Sequence, residues 1–179
     1  MGQNEETDNV VSGVVAERSG LVTGSTSFEE FYRRNHDRIW RALAVTLRNT
    51  HLASEAIDEA MTRAFERWDT VADYANPAGW CYRVGLNWAT SRLRKATRET
   101  MGENVDRVYV DDEVADPTVT AALHQLSVNH REVIVMRYLL DWSINDIAGA
   151  LEVPAGTVKS RLHRAVDHLN ELLDRETTP

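Results

Sequence analysis

Residues 143–165, "SINDIAGALEVPAGTVKSRLHRA", have the pattern of two short helices joined by a tight turn. Ser143 and Asp146 are spaced to cap the first helix, which repeats apolar residues at helical intervals. The second helix gathers its apolar residues on one face: Val158, Leu162, Ala165, Val166 and Leu169. This pattern predicts a helix-turn-helix, whose second helix can enter the major groove of DNA.

The opposite face of that second helix is basic and rich in hydroxyl groups. Its residues are Thr157, Lys159, Ser160, Arg161, His163 and Arg164. Such groups suit base edges and phosphates together, and the sequence does not distinguish which of the two each arginine contacts. Glu152 stands at the turn position that commonly holds glycine, so a left-handed backbone is expected there at a cost of about 1–2 kcal/mol.

The chain as a whole is acidic, with 28 Asp and Glu against 20 Lys and Arg and a net charge of −8. Phosphates would repel most of such a surface, so any DNA contact is confined to local basic faces. The acidic surface that remains requires a different partner.

Nothing in the sequence predicts export or insertion into a membrane. There is no run of about 18 apolar residues, and the N-terminus has acids where a signal peptide would have bases. The single cysteine, Cys81, is expected to be a packing residue, in keeping with a reducing cytoplasm. We therefore expect a cytoplasmic protein.

The N-terminal half predicts a tail and two helices. Residues 1–26 are expected to be a disordered tail, although the run "VVSGVV" could dock elsewhere. Order should begin at Ser27, with Glu30 completing a capping box, and a helix break is expected near "RNTHLAS". The second helix has one apolar stripe: Ile57, Ala60, Met61, Ala64, Phe65 and Trp68. Its polar side carries Glu55, Asp58, Glu59, Thr62 and Glu66.

A third helix, from Trp80 to about Arg98, follows an expected loop, "DYANPAG" (73–79). It has no internal acid but five bases: Arg83, Arg92, Arg94, Lys95 and Arg98. One apolar stripe holds Trp80, Val84 and Trp88, and a second holds Tyr82, Leu86, Ala89 and Leu93. Such a helix either lies deep in its domain or turns aromatic surface towards a partner.

Residues 99–118 predict an acidic linker between two domains. Helical pattern resumes at about Val119 and continues to residue 174, ahead of a short tail at 175–179. No strand alternation stands out. The expected fold is all-α, with two small helical domains at 27–98 and 119–174.

Three segments, in order, resemble the ECF (extracytoplasmic-function) sigma factors, which are specificity subunits of bacterial RNA polymerase. "SEAIDEAMTRAFERW" and "NPAGWCYRVGLNWATSRLRK" are similar to parts of the family's sigma-2 domain. "REVIVMRYLLDWSINDIAGALEVPAGTVKSRLHRAVDHL" resembles its sigma-4 domain. The chain departs from the usual residues at Asp58, Ser91, Ser127 and Glu152.

The resemblance implies three binding surfaces and no catalytic site, cofactor or metal. The basic helix-turn-helix face would read the −35 promoter element. The melted −10 element would meet Asn76, Trp80, Arg83, Asn87, Arg92, Arg94 and Lys95, which combine aromatic platforms with a basic track. Core RNA polymerase would bind through the clamp helices of its largest subunit, against Glu55, Asp58, Glu59, Thr62 and Glu66, and through the flap of its second subunit. An anti-sigma factor is an expected further partner.

Two other hypotheses compete with this one. A stand-alone helix-turn-helix regulator would use residues 27–98 for sensing or dimerisation. A metal protein or enzyme would use Glu55 and Glu59, one helical turn apart, but no His shares their face, and His163 and His168 are badly spaced to converge. We expect Glu55 and Glu59 to be solvated carboxylates instead.

Overall fold

The computed structural model describes residues 27–99 and 117–177, and within these ranges it contains helices and no strand. The elements are α1 (Phe28–Leu47), α2 (Thr50–Glu66), α3 (Trp68–Val71), α4 (Pro77–Glu99), α5 (Pro117–Gln125), α6 (Val128–Ile134), a π-helical turn (Val135–Leu139), α7 (Ile144–Leu151) and α8 (Ala155–Thr177). The all-α fold class is confirmed. The expected tail at 1–26 and most of the expected linker lie outside the described residues.

The first two helices begin and end at capping residues. The Ser27 side chain accepts a hydrogen bond from the Glu30 backbone N–H, while the Glu30 carboxylate binds Arg34 at 2.6 Å. The break after α1 lies at Arg48, whose φ is 58°, and Asn49 then caps α2 by accepting from the Leu52 N–H. Local side-chain hydrogen bonds therefore fix the break that the sequence predicts.

The core of the N-terminal helices (α1–α4) lies where α1, α2 and α4 meet. Its buried residues include Leu43, Ala56, Ile57, Ala60, Met61, Ala64, Cys81, Tyr82, Leu86 and Ala89. A Cβ on Gly85 would lie 3.0 Å from the Ala56 carbonyl oxygen, so glycine allows α4 to approach α2 closely. Burial raises the pKa of Cys81 to about 12, which agrees with a packing role.

Two expectations about this half are wrong in detail. Phe65 is 66% exposed, although its ring lies edge to face against Phe28 with ring centroids 5.1 Å apart. Trp68 belongs to the separate helix α3, because α2 ends at Glu66. The loop predicted at 73–79 is shorter, because α4 begins at Pro77, where the fixed φ of proline suits a first helical residue. Asn76 accepts a hydrogen bond from the Gly79 N–H at 2.8 Å and so caps this helix.

The C-terminal helices (α5–α8) contain the predicted helix-turn-helix. Ser143 and Asp146 form a capping box at the start of α7, and Glu152 follows α7 with a φ of 54°, as expected for the turn. Val158 and Ala165 are buried, while Leu162, Val166 and Leu169 are half-buried. The π-helical turn was not predicted from sequence; its last residue is followed by Leu140, whose N–H donates to Val135 O at 3.1 Å.

The two sets of helices pack directly against each other. The buried guanidinium of Arg131 on α6 donates to Thr46 O on α1 at 2.6 Å, and Arg38 donates to Leu140 O at 2.9 Å. On α4 the Tyr82 ring meets Trp142 edge to face, with ring centroids 6.1 Å apart. Both backbone groups and aromatic rings therefore join the N-terminal to the C-terminal helices.

No helix in the described ranges is long and apolar enough to span a membrane.

Candidate nucleic-acid interface

The outer face of α8 is exposed and basic, as the sequence predicts. Lys159, Ser160, His163 and Arg164 are exposed, and Thr157 is half-buried. The Ser160 hydroxyl donates to Thr157 O at 3.0 Å, and His163 Nδ1 lies 3.4 Å from Asp167 Oδ2. These side chains line one side of a rigid helix, an arrangement that suits entry into a major groove.

Arg161 differs from the other bases of α8 because it has an acidic partner within the protein. Its Nη1 donates to Glu132 Oε1 on α6 at 3.4 Å, and its side chain is 29% exposed. Burial raises the pKa of Glu132 to about 7, against the opposing effect of the Arg161 charge. This pair is not predictable from helical spacing, because Glu132 lies on a different helix.

The start of α4 carries an aromatic surface. Trp80 is half-buried beside Tyr74, with ring centroids 6.3 Å apart, and Asn87 is exposed. Tyr74 is 43% exposed and was missed in the sequence, although it lies in the loop directly before Asn76. Arg94 and Lys95 are exposed further along α4.

Arg92 links α4 to α2. Its guanidinium lies 5.0 Å from the centroid of the Trp88 ring and 3.6 Å from Glu55 Oε1. A residue expected to contact DNA and a residue expected to contact the polymerase are thus neighbours in space.

The polar side of α2 presents acids to solvent. Asp58, Thr62 and Glu66 are exposed, while Glu55 and Glu59 are half-buried. Glu59 binds Arg63 at 2.6 Å, and Glu55 lies near both Arg92 and His51. The two glutamates considered for a metal site therefore have basic partners, and no cluster of three potential metal ligands occurs among the described residues.

The first helix of the helix-turn-helix covers the start of α4. Arg83 forms an ion pair with Glu152, and a Cβ on Gly79 would lie 3.2 Å from the Ala150 Cβ. A cavity of about 310 Å³ remains between the two elements. It is lined by Tyr74, Asn76, Trp80, Asn145, Asp146 and Gly149, among others. Of the predicted −10 residues, Asn76, Trp80 and Arg83 therefore face α7 in this arrangement.

These features define a two-part helical DNA-binding protein, in which a helix-turn-helix packs against an aromatic and basic helix. Residues 118–169 match the family model described as Sigma-70, region 4. The chain is 33% identical over 153 residues to the RNA polymerase sigma-E factor of Streptomyces avermitilis, covering 82% of this chain and 85% of the relative. It is 30% identical over 166 residues to the ECF RNA polymerase sigma factor SigL of Mycobacterium tuberculosis, covering 87% and 90%.

The chain belongs to the ECF RNA polymerase sigma factors. It is a sigma factor for promoter-specific transcription, which decides against the stand-alone regulator.

Solved structures show the same fold. The sigma factor RpoE, in a co-crystal with the anti-sigma factor NepR from Bartonella quintana, superposes with a TM-score of 0.74 at 23% identity, covering 82% of this chain and 96% of that one. CnrH, solved with the cytosolic domain of CnrY, has a TM-score of 0.60 at 22% identity, covering 84% and 89%.

Proposed function

We propose that the exposed face of α8 reads the −35 element of a promoter. The observation that carries this proposal is that Lys159, Ser160, His163 and Arg164 are exposed together, on the helix that follows the turn. Thr157 and Arg161 lie at the edges of the same face. Donors of this kind bind phosphates and read the acceptor atoms of guanine in the major groove.

The start of α4 is proposed to bind the melted −10 element. Trp80 and Tyr74 offer aromatic surfaces on which unpaired bases can stack, and Asn76 and Asn87 offer amide groups for base edges. Arg83, Arg92, Arg94 and Lys95 would follow the DNA backbone. In the present arrangement Arg83 is paired with Glu152, so this surface becomes available when α7 separates from α4.

The acidic side of α2 is proposed to dock on core RNA polymerase, against the clamp helices of the largest subunit. Asp58, Thr62 and Glu66 are exposed there, and Glu55 and Glu59 border them. The C-terminal helices would contact the flap of the second subunit. RpoE was solved with the anti-sigma factor NepR, and by analogy an anti-sigma factor is a proposed partner here. The protein would act in the cytoplasm, without catalysing a reaction itself.

Binding to core RNA polymerase tests the docking surface. Purified full-length protein is mixed with bacterial core polymerase, and the dissociation constant is measured for the wild type, Glu66→Lys and Glu29→Lys. Both replaced residues are exposed glutamates, so the two variants change charge equally. Glu66→Lys should weaken binding about tenfold or more, because it places like charges across the interface, while Glu29→Lys, on α1, should not. Equal weakening by both variants would contradict the proposed surface.

Promoter selection tests the DNA-reading face. The complex with core polymerase selects its preferred sites from a randomised double-stranded library, and the selection is repeated with Arg164→Ala. If Arg164 contacts a base, the variant should lose about 1–3 kcal/mol of discrimination at one upstream position. An unchanged preference would reject that role for Arg164.

A further inference from the structure

We propose that Glu132 is a positioning residue for Arg161. It holds Arg161 at the side of α8 and keeps the Arg161 charge from interacting with promoter phosphates. This inference rests on the proposed function of α8 as the reader of the −35 element. It assigns different roles to two arginines that the sequence does not distinguish. Arg164 would bind DNA directly, and Arg161 would be restrained by an acidic residue of the same protein.

The geometry separates the two arginines clearly. Arg161 extends from α8 towards α6, where its Nη1 lies 3.4 Å from Glu132 Oε1. The Glu132 side chain is only 8% exposed, so the carboxylate has little access to solvent ions. Arg164 is exposed, and no ion pair to it is found in the described ranges.

The burial of Glu132 makes the pair hard to separate while the carboxylate is charged. Moving Arg161 onto a DNA phosphate would leave a buried carboxylate without a counter-charge, which is strongly unfavourable. A restrained and already neutralised arginine releases few counterions from DNA. Arg164 and Lys159 should therefore contribute to the salt dependence of DNA binding, and Arg161 should contribute little.

Protonation of Glu132 would release the restraint. Burial raises the pKa of Glu132 to about 7, so the carboxyl group gains a proton as the pH falls through neutrality. Among the titratable groups nearby, Arg161 faces it from α8, and Tyr82 on α4 is close enough for the Glu132 charge to raise the pKa of the phenol. Arg131, next to it on α6, directs its guanidinium to the carbonyl oxygens of Leu123, Leu126 and Thr46 instead.

The test measures how the affinity for a duplex promoter depends on salt. The full chain in complex with core polymerase binds a duplex site that the wild-type complex has selected, at several KCl concentrations and about pH 8. Arg164→Ala should reduce the slope of log affinity against log salt by about 1, and Arg161→Ala by less than half as much. Glu132→Gln should steepen the slope by about 1, which means an affinity change of about three- to fourfold over a fourfold range of salt.

Several outcomes would overturn the proposal. It is wrong if Arg161→Ala flattens the slope as much as Arg164→Ala, or if folded Glu132→Gln has the wild-type slope. If Arg164→Ala also leaves the slope and the site preference unchanged, the proposed DNA-reading role of α8 fails, and this inference fails with it.

A second measurement decides the matter if Glu132→Gln does not fold. Affinity is compared between about pH 6 and pH 8 for two proteins, His163→Gln and His163→Gln combined with Arg161→Ala, because His163 on the same face would also gain charge. Affinity should rise at the lower pH in the first protein, and most of that rise should be lost in the second. An equal rise in both proteins would overturn the proposal.

Discussion

Arg83 on α4 forms an ion pair with Glu152, the residue that makes the left-handed turn of the helix-turn-helix. The pair connects a residue proposed to follow −10 DNA with the module proposed to read −35 DNA. α7 also lines the cavity beside Asn76 and Trp80. If these residues bind the melted −10 element as proposed, α4 and α7 must separate when the promoter opens.

Replacing Glu152 by glycine should stabilise the turn. Glu152 has a φ of 54°, a conformation that costs a residue with a β-carbon about 1–2 kcal/mol and costs glycine little. Glu152→Gln removes the same ion pair and keeps the strained backbone, so it is the matched control. We expect the free energy of unfolding of Glu152→Gly, measured in urea, to exceed that of Glu152→Gln by about 1 kcal/mol. Equal values would mean that the turn is not strained.

A disulfide between α4 and α7 should block promoter opening. Gly79 and Ala150 face each other closely enough for a bond between cysteines in the variant Gly79→Cys with Ala150→Cys. Native Cys81 is buried and should stay reduced. With core polymerase, the oxidised protein should fail to open a promoter, and a reductant should restore opening.

The single variants are the controls for the disulfide, because a Cβ at Gly79 also crowds the Asn76 side chain at 2.8 Å. Normal opening by the oxidised double variant would contradict the need for α4 and α7 to separate.

The sequence predicts the parts of this fold that depend on neighbouring residues. The sequence predicts both the capping box of Ser143 and Asp146 and the left-handed backbone at Glu152. Each of these features depends on residues within one helical turn. Trp68 shows the limit, since helical spacing alone does not reveal that α2 ends at Glu66 and that Trp68 lies on the separate helix α3. The pairs Arg83–Glu152 and Arg161–Glu132 each join different helices, so periodicity gives no signal for them. The sequence therefore predicts the exposed basic side of α8 but not which of its arginines is paired with an acid.

Acidic pH should lower the free energy of unfolding through His124, which lies on α5. Burial, together with the charges of Arg48 and Arg131, lowers the pKa of His124 below its usual value, and its buried Nε2 has no hydrogen-bond partner among the residues that the structure describes. As the pH falls below about 6.5, the unfolded chain takes up the proton before the folded chain does. The stability that His124 contributes is therefore complete above about pH 6.5 and is lost below it.

The variant His124→Gln, which stays neutral, isolates this effect. Between about pH 7.5 and pH 5.5 the wild type should lose more unfolding free energy than the variant does. Glu132 has a raised pKa and so acts in the opposite direction, adding stability as the pH falls, but it does so in both proteins and cancels in the comparison. Parallel pH profiles would show that His124 titrates equally in the folded and unfolded chains.

The buried hydrogen bond between Thr46 and Tyr82 should show strong coupling in a double-mutant cycle. Their oxygens are 2.8 Å apart and both side chains are fully buried, beside the contact that Tyr82 makes with Trp142. Tyr82→Phe or Thr46→Val alone leaves one hydroxyl buried without its partner, which should cost about 1–3 kcal/mol of unfolding free energy. The double variant leaves neither hydroxyl behind, so its loss should be clearly smaller than the sum of the two single losses. Strictly additive losses in urea unfolding would mean that the two hydroxyl groups do not depend on each other.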